Sequence, residues 1–335
     1  MSLVQLADVI QPDIYLSYQS VNSVDKSAIV QSGIVRNDPM LDNLAANTQG
    51  SVTLPFWNDL STANEPNVSS DDPNSNATPE KITTGKQVAY PSAYNNAWQA
   101  ADLSAEAAGS DPNQRIRDRV EAYWTRQLQK KLVQCAEGVL ADNVANDSSD
   151  MCNDIFIEAG ATATAANKFS FEAYVDTAFT MGDMFNNTGI LIMHSGVYQN
   201  LVKQGDIDFI RDADGKLLYT AYADHQVIVD DGAYTRAGTT SGIVYTTILV
   251  GAGAFGFGQA MPRVPIEVER EALGGNGGGI ETLVSRKRWV LHPYGFAASA
   301  PATEGYTNTE LGSAATWNRV VDRNNVPMAF LRSNG

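Results

Sequence analysis

Two cysteines and three histidines in 335 residues leave little material for several kinds of chemistry. Cys135 and Cys152 are the only thiols, and Cys135 falls on an apolar helical stripe where a small hydrophobe packs, so a disulfide framework is not expected. His194, His225 and His292 stand far apart, and no His-x-x-x-His or Cys-x-x-Cys spacing suggests a metal. There is no Gly-x-Ser-x-Gly elbow and no Walker loop, which lowers the expectation of hydrolase or phosphate-transfer chemistry. Asp212 and Asp214 before Gly215 match a calcium loop over four residues only, and Asp214-Gly215 reads as a turn.

Basic charge is scarce too. Lys and Arg number 23 against 38 Asp and Glu, a formal net charge of -15, whereas binding nucleic acid requires a basic patch and counterion release. The balance suits a surface that does not adhere to a polyanion. MSLVQLADVIQPD at the N-terminus lacks a basic segment followed by an apolar one, so no secretory signal is visible. Ala237 to Pro262 carries no charge and is long enough to cross a bilayer, but glycines interrupt it and its apolar part, Ile243 to Val250, is β-branched. Buried strands are expected there, and no membrane partner. The same stretch holds Gly251-x-Gly253-x-x-Gly256, the spacing of a dinucleotide fingerprint. That fingerprint needs a helix opening at its last glycine, which Gly258, Pro262 and Pro265 oppose, so a tight strand connection is the expectation and no cofactor is assigned.

What the chain does have is a polar excursion feeding a long amphipathic helix. Asp111 suits an N-cap and Pro112 the first helical position. Ile116, Val120, Trp124, Leu128, Leu132 and Val139 then recur at helical spacing to about Ala145, with Lys130, Lys131 and the arginines on the remaining surface. Before this helix, Gly50 to Trp57 and Ile82 to Tyr90 read as two antiparallel strands. Ser61 to Pro79 between them has one large apolar residue, Val68, too little to offset the entropy of ordering. An isolated hairpin is marginal in water, so this one needs a partner surface.

Composition, 43% hydrophobic and 18% charged, is globular and large enough for two cores. Ser170 to Phe185 reads as a helix with Phe171, Tyr174 and Ala178 on one face, followed by a strand Ile190 to Met193 and a helix capped by Ser195. A hairpin around Gly215 to Val229 and strands from Ile243 to Phe257 complete a compact α/β unit. Arg263 to Leu273 and Ile280 to Leu291, joined by a glycine-rich turn, alternate Val264, Ile266 and Val268 with Glu267, Glu269 and Glu271 as an exposed ribbon does.

In this order of elements the chain resembles the major capsid proteins of tailed bacteriophages with the HK97 fold. The resemblance is carried by TLPFW entering the extended loop, by AWQAADLSAEAAGSDPNQRIRDRVEAYW leading into the helix, and by VEREALGGNGGGIETLVSRKRWVLHPYGFA near the end. It implies an α+β HK97-like capsid fold with an N-arm (1–49), an extended E-loop and its return (50–110), and a P domain made of the spine helix with its following connection (111–159) and a β-hairpin (263–292). The A domain, mixed α/β, would span 160–262, and 293–335 would return to it.

The function implied is a non-enzymatic head-shell subunit that self-assembles, as pentamers and hexamers, into an icosahedral capsid around double-stranded DNA held without sequence-specific binding. Implied partners are further copies of the chain, a separate scaffolding protein, a portal and a decoration protein. The implied location is the virion, assembled in the host cytoplasm. In such shells the E-loop lies over a neighbour's P domain, and Phe56, Trp57 and Trp98 are the aromatic anchors expected at that interface. Some members crosslink an E-loop lysine to an asparagine; Lys81, Lys86 and Asn276 are the nominal candidates. Two rivals stand beside this reading: an encapsulin-like compartment shell, and an α/β nucleotide-binding enzyme using Gly251, Gly253 and Gly256.

Overall fold

A single helix, Pro112–Asn146, is the spine of the molecule, and at about 1.5 Å per residue it runs for about 50 Å. The computed structural model describes residues 3–4, 28–46, 50–60, 65–69, 71–74, 76–108, 111–212, 215–232 and 234–335. Asp111 caps the helix through Oδ1, which accepts from the Asn113 amide at 2.9 Å, and Pro112 opens it. At the far end the buried Asn143 turns the chain. Its Oδ1 accepts from Met151 N and its Nδ2 donates to Asp150, which satisfies groups that a helix end leaves open.

The first half of the helix lies on a six-stranded sheet ordered Leu3–Val4, Ser92–Ala101, Ile280–Pro293, Phe255–Ala260 and Val35–Asn37. Ile266–Glu271 pairs with the N-terminal part of Ile280–Pro293 as the outer strand of the ribbon. Val120 and Trp124 pack on Leu283 and Trp289, with Ile116, Tyr123 and Leu128 partly buried beside them. The helix covers the two long strands, whereas the ribbon's outer strand stays exposed at every position, including Ile266 and Val268.

Lys131 does not lie on the solvent face expected for it. It is buried, with Nζ 4.0 Å above the Tyr94 ring and donating to Tyr306 O and Asn308 Oδ1. The carbonyl and amide oxygens and the ring face take the place of water around the ammonium, and burial lowers its pKa to about 8. Tyr94 and chain from beyond residue 300, all distant in sequence, supply the partners, which is why spacing alone could not reveal it.

The second half of the helix serves the other sheet, ordered Cys152–Asp154, Met328–Ser333, Ile243–Val250, Ile190–Met193, His225–Val229, Leu217–Tyr222 and Asp208–Arg211. Strand alternation divides its faces. Ile190, Ile192, Ile248 and Phe330 meet Leu132, Val139 and Leu140 of the spine, while Leu191, Met193, Leu249 and Leu331 meet the helices Phe171–Ala178 and Ser195–Gln204. Both faces are therefore covered, as the near-continuous apolar run Ile243–Val250 requires.

Three local expectations change. The helix expected through Phe185 ends at Ala178, because Gly182 (φ 58°, ψ −133°) breaks the 3-10 segment that follows, and Phe171 is 61% exposed rather than on the buried face. His194, not Ser195, caps the next helix, its Nδ1 accepting from Gly196 N at 3.0 Å. Phe255–Ala260, grouped by sequence with 160–262, hydrogen-bonds instead to Ile280–Pro293 in the first sheet. Asp214 lies outside the described residues, and Gly215 N donates to Asp212 O in the turn beside it.

Candidate assembly interface

The extended hairpin pairs Val52–Trp57 with Thr84–Ala89 as a two-stranded sheet of its own. Its base is anchored, since Val52 packs on a small cluster of Leu41, Leu44, Ala45, Ala89 and Val290. The Phe56 ring covers Gly85 across the strands so closely that a Cβ at Gly85 would stand 2.4 Å from Phe56 Cζ. Pro55, with no amide hydrogen, faces Lys86. Asn58 N donates to Thr83 O at 2.9 Å and closes the paired region.

At that end of the hairpin and beyond it the apolar side chains face solvent: Trp57 is 69% exposed and Val68 93%. Leu60 and Ile82 are exposed as well, and several apolar side chains left uncovered on one extended element mark a surface open to association.

The residues singled out by sequence separate into three places. Phe56, Trp57 and Lys86 sit on the hairpin and Lys81 at its neck, both lysines exposed. Trp98 belongs to Ser92–Ala101 and packs edge-on against Tyr123 of the spine, ring centroids 5.3 Å apart, within its own subunit. Asn276 is exposed in the ribbon's glycine-rich turn with φ 58°.

Sequence reasoning missed the strand Ser92–Ala101 itself. The signal was present in the period-two series Ser92, Tyr94, Trp98 and Ala100, which faces the helix side.

One buried titratable group joins hairpin to body. His292 lies on Ile280–Pro293 at 4% exposure, its Nε2 3.4 Å from Oε1 of Gln87 on the hairpin strand. Burial pushes the imidazole pKa down to about 4, with the Phe296 backbone opposing part of that shift. The folded value lies below the unfolded value of about 6.5, so the unfolded chain takes up the proton first. Stability is then full above pH 6.5 and falls as the pH drops toward 4. Denaturant titrations should show a loss of roughly 1 to 2 kcal/mol between pH 6.5 and pH 5, and His292→Gln should flatten that window. An unchanged slope in the variant would remove His292 as its source.

The Gly251-x-Gly253-x-x-Gly256 stretch turns one strand into the next. Gly256 lies inside Phe255–Ala260, where a Cβ would meet Leu41 Cδ1 at 2.8 Å, and no helix opens there to receive a pyrophosphate. Among the described residues no group of three or more His, Cys, Asp or Glu is placed to hold a metal, and no helix is long and apolar enough to cross a membrane.

No family model matches the chain. A major capsid protein of Bacillus phage SPP1 is 35% identical over 326 residues, covering 96% of this chain and 95% of that protein. Among solved structures, the capsid of Ralstonia phage GP4 aligns at TM-score 0.59 and 9% identity, over 100% of this chain and 98% of that one. The capsid asymmetric unit of cyanophage Pam1 aligns at 0.58 and 10% identity, over 97% of each chain. The head of Helicobacter pylori bacteriophage KHP40 aligns at 0.51 and 10% identity, over 97% of this chain and 95% of that one. Identities this low speak for the fold alone, an α+β fold of HK97 type. The SPP1 relative speaks for function, and it favours neither an encapsulin-like compartment nor a nucleotide-binding enzyme. An unpartnered hairpin on a spine-and-two-sheet body thus has its explanation: the chain belongs to the family of phage major capsid proteins and is a shell-forming component of a virion.

Proposed function

We propose that copies of this chain assemble as pentamers and hexamers into an icosahedral head around double-stranded DNA, with a separate scaffolding protein and a portal as partners and the host cytoplasm as the site of assembly. The observation that carries this reading is the hairpin Val52–Trp57/Thr84–Ala89, on and beyond which Trp57, Leu60 and Val68 are exposed among the described residues. In this reading residues 1–49 are the arm and 50–110 the E-loop and its return. The spine segment 111–159, the strand Phe255–Ala260 and the ribbon 263–292 form the P domain, and the rest of 160–262 with part of 293–335 forms the A domain.

Trp57 is the side chain that reaches the neighbour, Phe56 sets the hairpin's shape over Gly85, and Trp98 stiffens the P domain beneath. Lys81, Lys86 and Asn276 are all exposed, as any contact across subunits requires. The subunit performs no catalysis; its work is to supply repeated contacts whose arm and loop adjust while the cores stay fixed. A net charge of -15 keeps the wall from adhering to packaged DNA.

Electron microscopy of the protein expressed with its scaffold should show closed shells or capsomer rings, and particles from phage should hold nuclease-protected double-stranded DNA. Protein that stays monomeric at every concentration would overturn the reading.

A further inference from the structure

An asparagine followed by glycine is open to attack by its own backbone, because glycine carries no side chain to hinder the approach of its amide nitrogen to the carboxamide carbon. The step occurs twice in this chain, at Asn276-Gly277 in the ribbon's turn and at Asn334-Gly335 after the strand Met328–Ser333. The fold places the two in opposite surroundings.

Asn334 is clamped. Its Oδ1 accepts from Ile157 N at 2.8 Å, and its Nδ2 donates to Ile157 O at 3.1 Å and to Ile243 O at 3.2 Å. The backbone on either side is tied as well, with Asn334 N donating to Asn167 O and Gly335 O accepting from Phe169 N. Turning this carboxamide toward Gly335 N would break three hydrogen bonds together.

Asn276 is held by none of these. It is exposed, its φ of 58° is a conformation that asparagine tolerates, and its carboxamide makes no hydrogen bond among the described residues. Gly275 and Gly277 also have positive φ, and a Cβ at either would meet nothing within 4 Å, so the reacting atoms stand in open solvent. One bond restrains the nucleophile: Gly277 N donates to Leu273 O at 3.2 Å, and Leu273 is 86% exposed, where water competes for that carbonyl.

We propose that Asn276 is a self-modification site, at which Gly277 N attacks Asn276 Cγ and closes a cyclic imide. The N–Cγ bond forms as the Cγ–Nδ2 bond breaks, and Nδ2 leaves as ammonia with the proton that Gly277 N gives up. Water then opens the imide at one carbonyl or the other, leaving aspartate or isoaspartate, and the sequence needs no oxidant and no cofactor. Nucleophile and electrophile belong to adjacent residues, so no encounter has to be arranged. Each event adds a negative charge to the tip of the ribbon, and isoaspartate lengthens the main chain there by a methylene. It also consumes the carboxamide that a lysine would need, so any crosslink through Asn276 is confined to freshly made chain.

The test follows both asparagines in one sample. The full chain is aged at pH 8, digested at intervals and compared by peptide mass spectrometry with a portion digested at once. The peptide carrying Asn276 should convert from amide to acid, in chromatographically separate aspartyl and isoaspartyl forms, at least tenfold faster than the peptide carrying Asn334. In guanidinium chloride the two should convert at similar rates, because only the fold distinguishes them. Asn276→Gln, a substitution at an exposed position, should remove the products from that peptide and leave the melting temperature unchanged. An Asn276 peptide that stays intact in the folded chain while it converts in the unfolded one overturns the proposal. Equal rates for Asn276 and Asn334 in the folded chain overturn the protection assigned to the three hydrogen bonds, and the contrast drawn from them.

Discussion

Gly138→Ala should destabilise the subunit by roughly 2 kcal/mol or more, even though alanine is the better helix former by about 1 kcal/mol. Gly138 lies within the spine helix where the C-terminal segment crosses it. A Cβ there would stand 1.9 Å from the Leu311 carbonyl oxygen and 2.6 Å from Trp317 Nε1, and these two atoms are themselves hydrogen-bonded at 2.8 Å. One obstacle is backbone and the other a tryptophan at 2% exposure, so neither can swing aside. Helix and segment must part, and the Trp317 bond and the packing of Leu311 weaken together. A lower denaturation midpoint for the free subunit is the expected reading. An unchanged or higher midpoint would mean that helix and segment do not approach this closely.

Trp124→Ala should cost more, about 3 to 5 kcal/mol, and should leave little soluble subunit. Trp124 is 4% exposed and sits between Tyr123 and Trp289, edge-on to Trp289 at 5.4 Å. Its Nε1 donates to Ser285 Oγ at 2.9 Å, so truncation also strands a hydroxyl in a residue 1% exposed. Trp124→Phe keeps most of the ring contact and should lose less. Adding Ser285→Ala to it removes the unmet hydroxyl and should recover part of the loss. If Trp124→Ala assembles into particles of wild-type thermal stability, the spine is not held to the long strands through this cluster.

Much of this architecture was legible because its signals are local. Asp111 and Pro112 announce the spine, and its apolar stripe runs unbroken because the helix interior holds no proline. Val52–Trp57 and Thr84–Ala89 announce the hairpin by their β-branched and aromatic residues. The errors fall where distant chain decides the outcome. Lys131 is charged and at first sight a surface residue; only Tyr94, Tyr306 and Asn308 make its burial affordable. Ser92–Ala101 is rich in asparagine and alanine and reads weakly as a strand, yet Ile280–Pro293 pairs with it along its length. Pairing, a non-local event, overrides weak intrinsic preference. The interface was legible only as an unmet need, since exposed Trp57 reports that something must cover it without naming the covering surface. The groove lined by Phe171, Phe179 and Phe185 escaped notice because Ser170 to Phe185 reads as one helix with Phe171 on its buried face, whereas the helix ends at Ala178 and the chain is broken again at Gly182.

The polypeptide passes between the spine-and-ribbon side and the second sheet in three places: after the spine at 147–151, between Val250 and Phe255, and on the way to Met328–Ser333. The core that meets the second half of the spine seals the same junction, with Phe255, Phe296 and Trp317 on one side and Ile248 and Phe330 on the other. A door swings because its pins share one axis, whereas three tethers clamped by a common filling behave as a weld. Differences in curvature from place to place in a shell therefore cannot be taken up by bending the body at its waist, and they fall on the appendages. Internal pressure on such a shell would be transmitted through each body as through a rigid tile, leaving the seams between tiles as the compliant part of the wall.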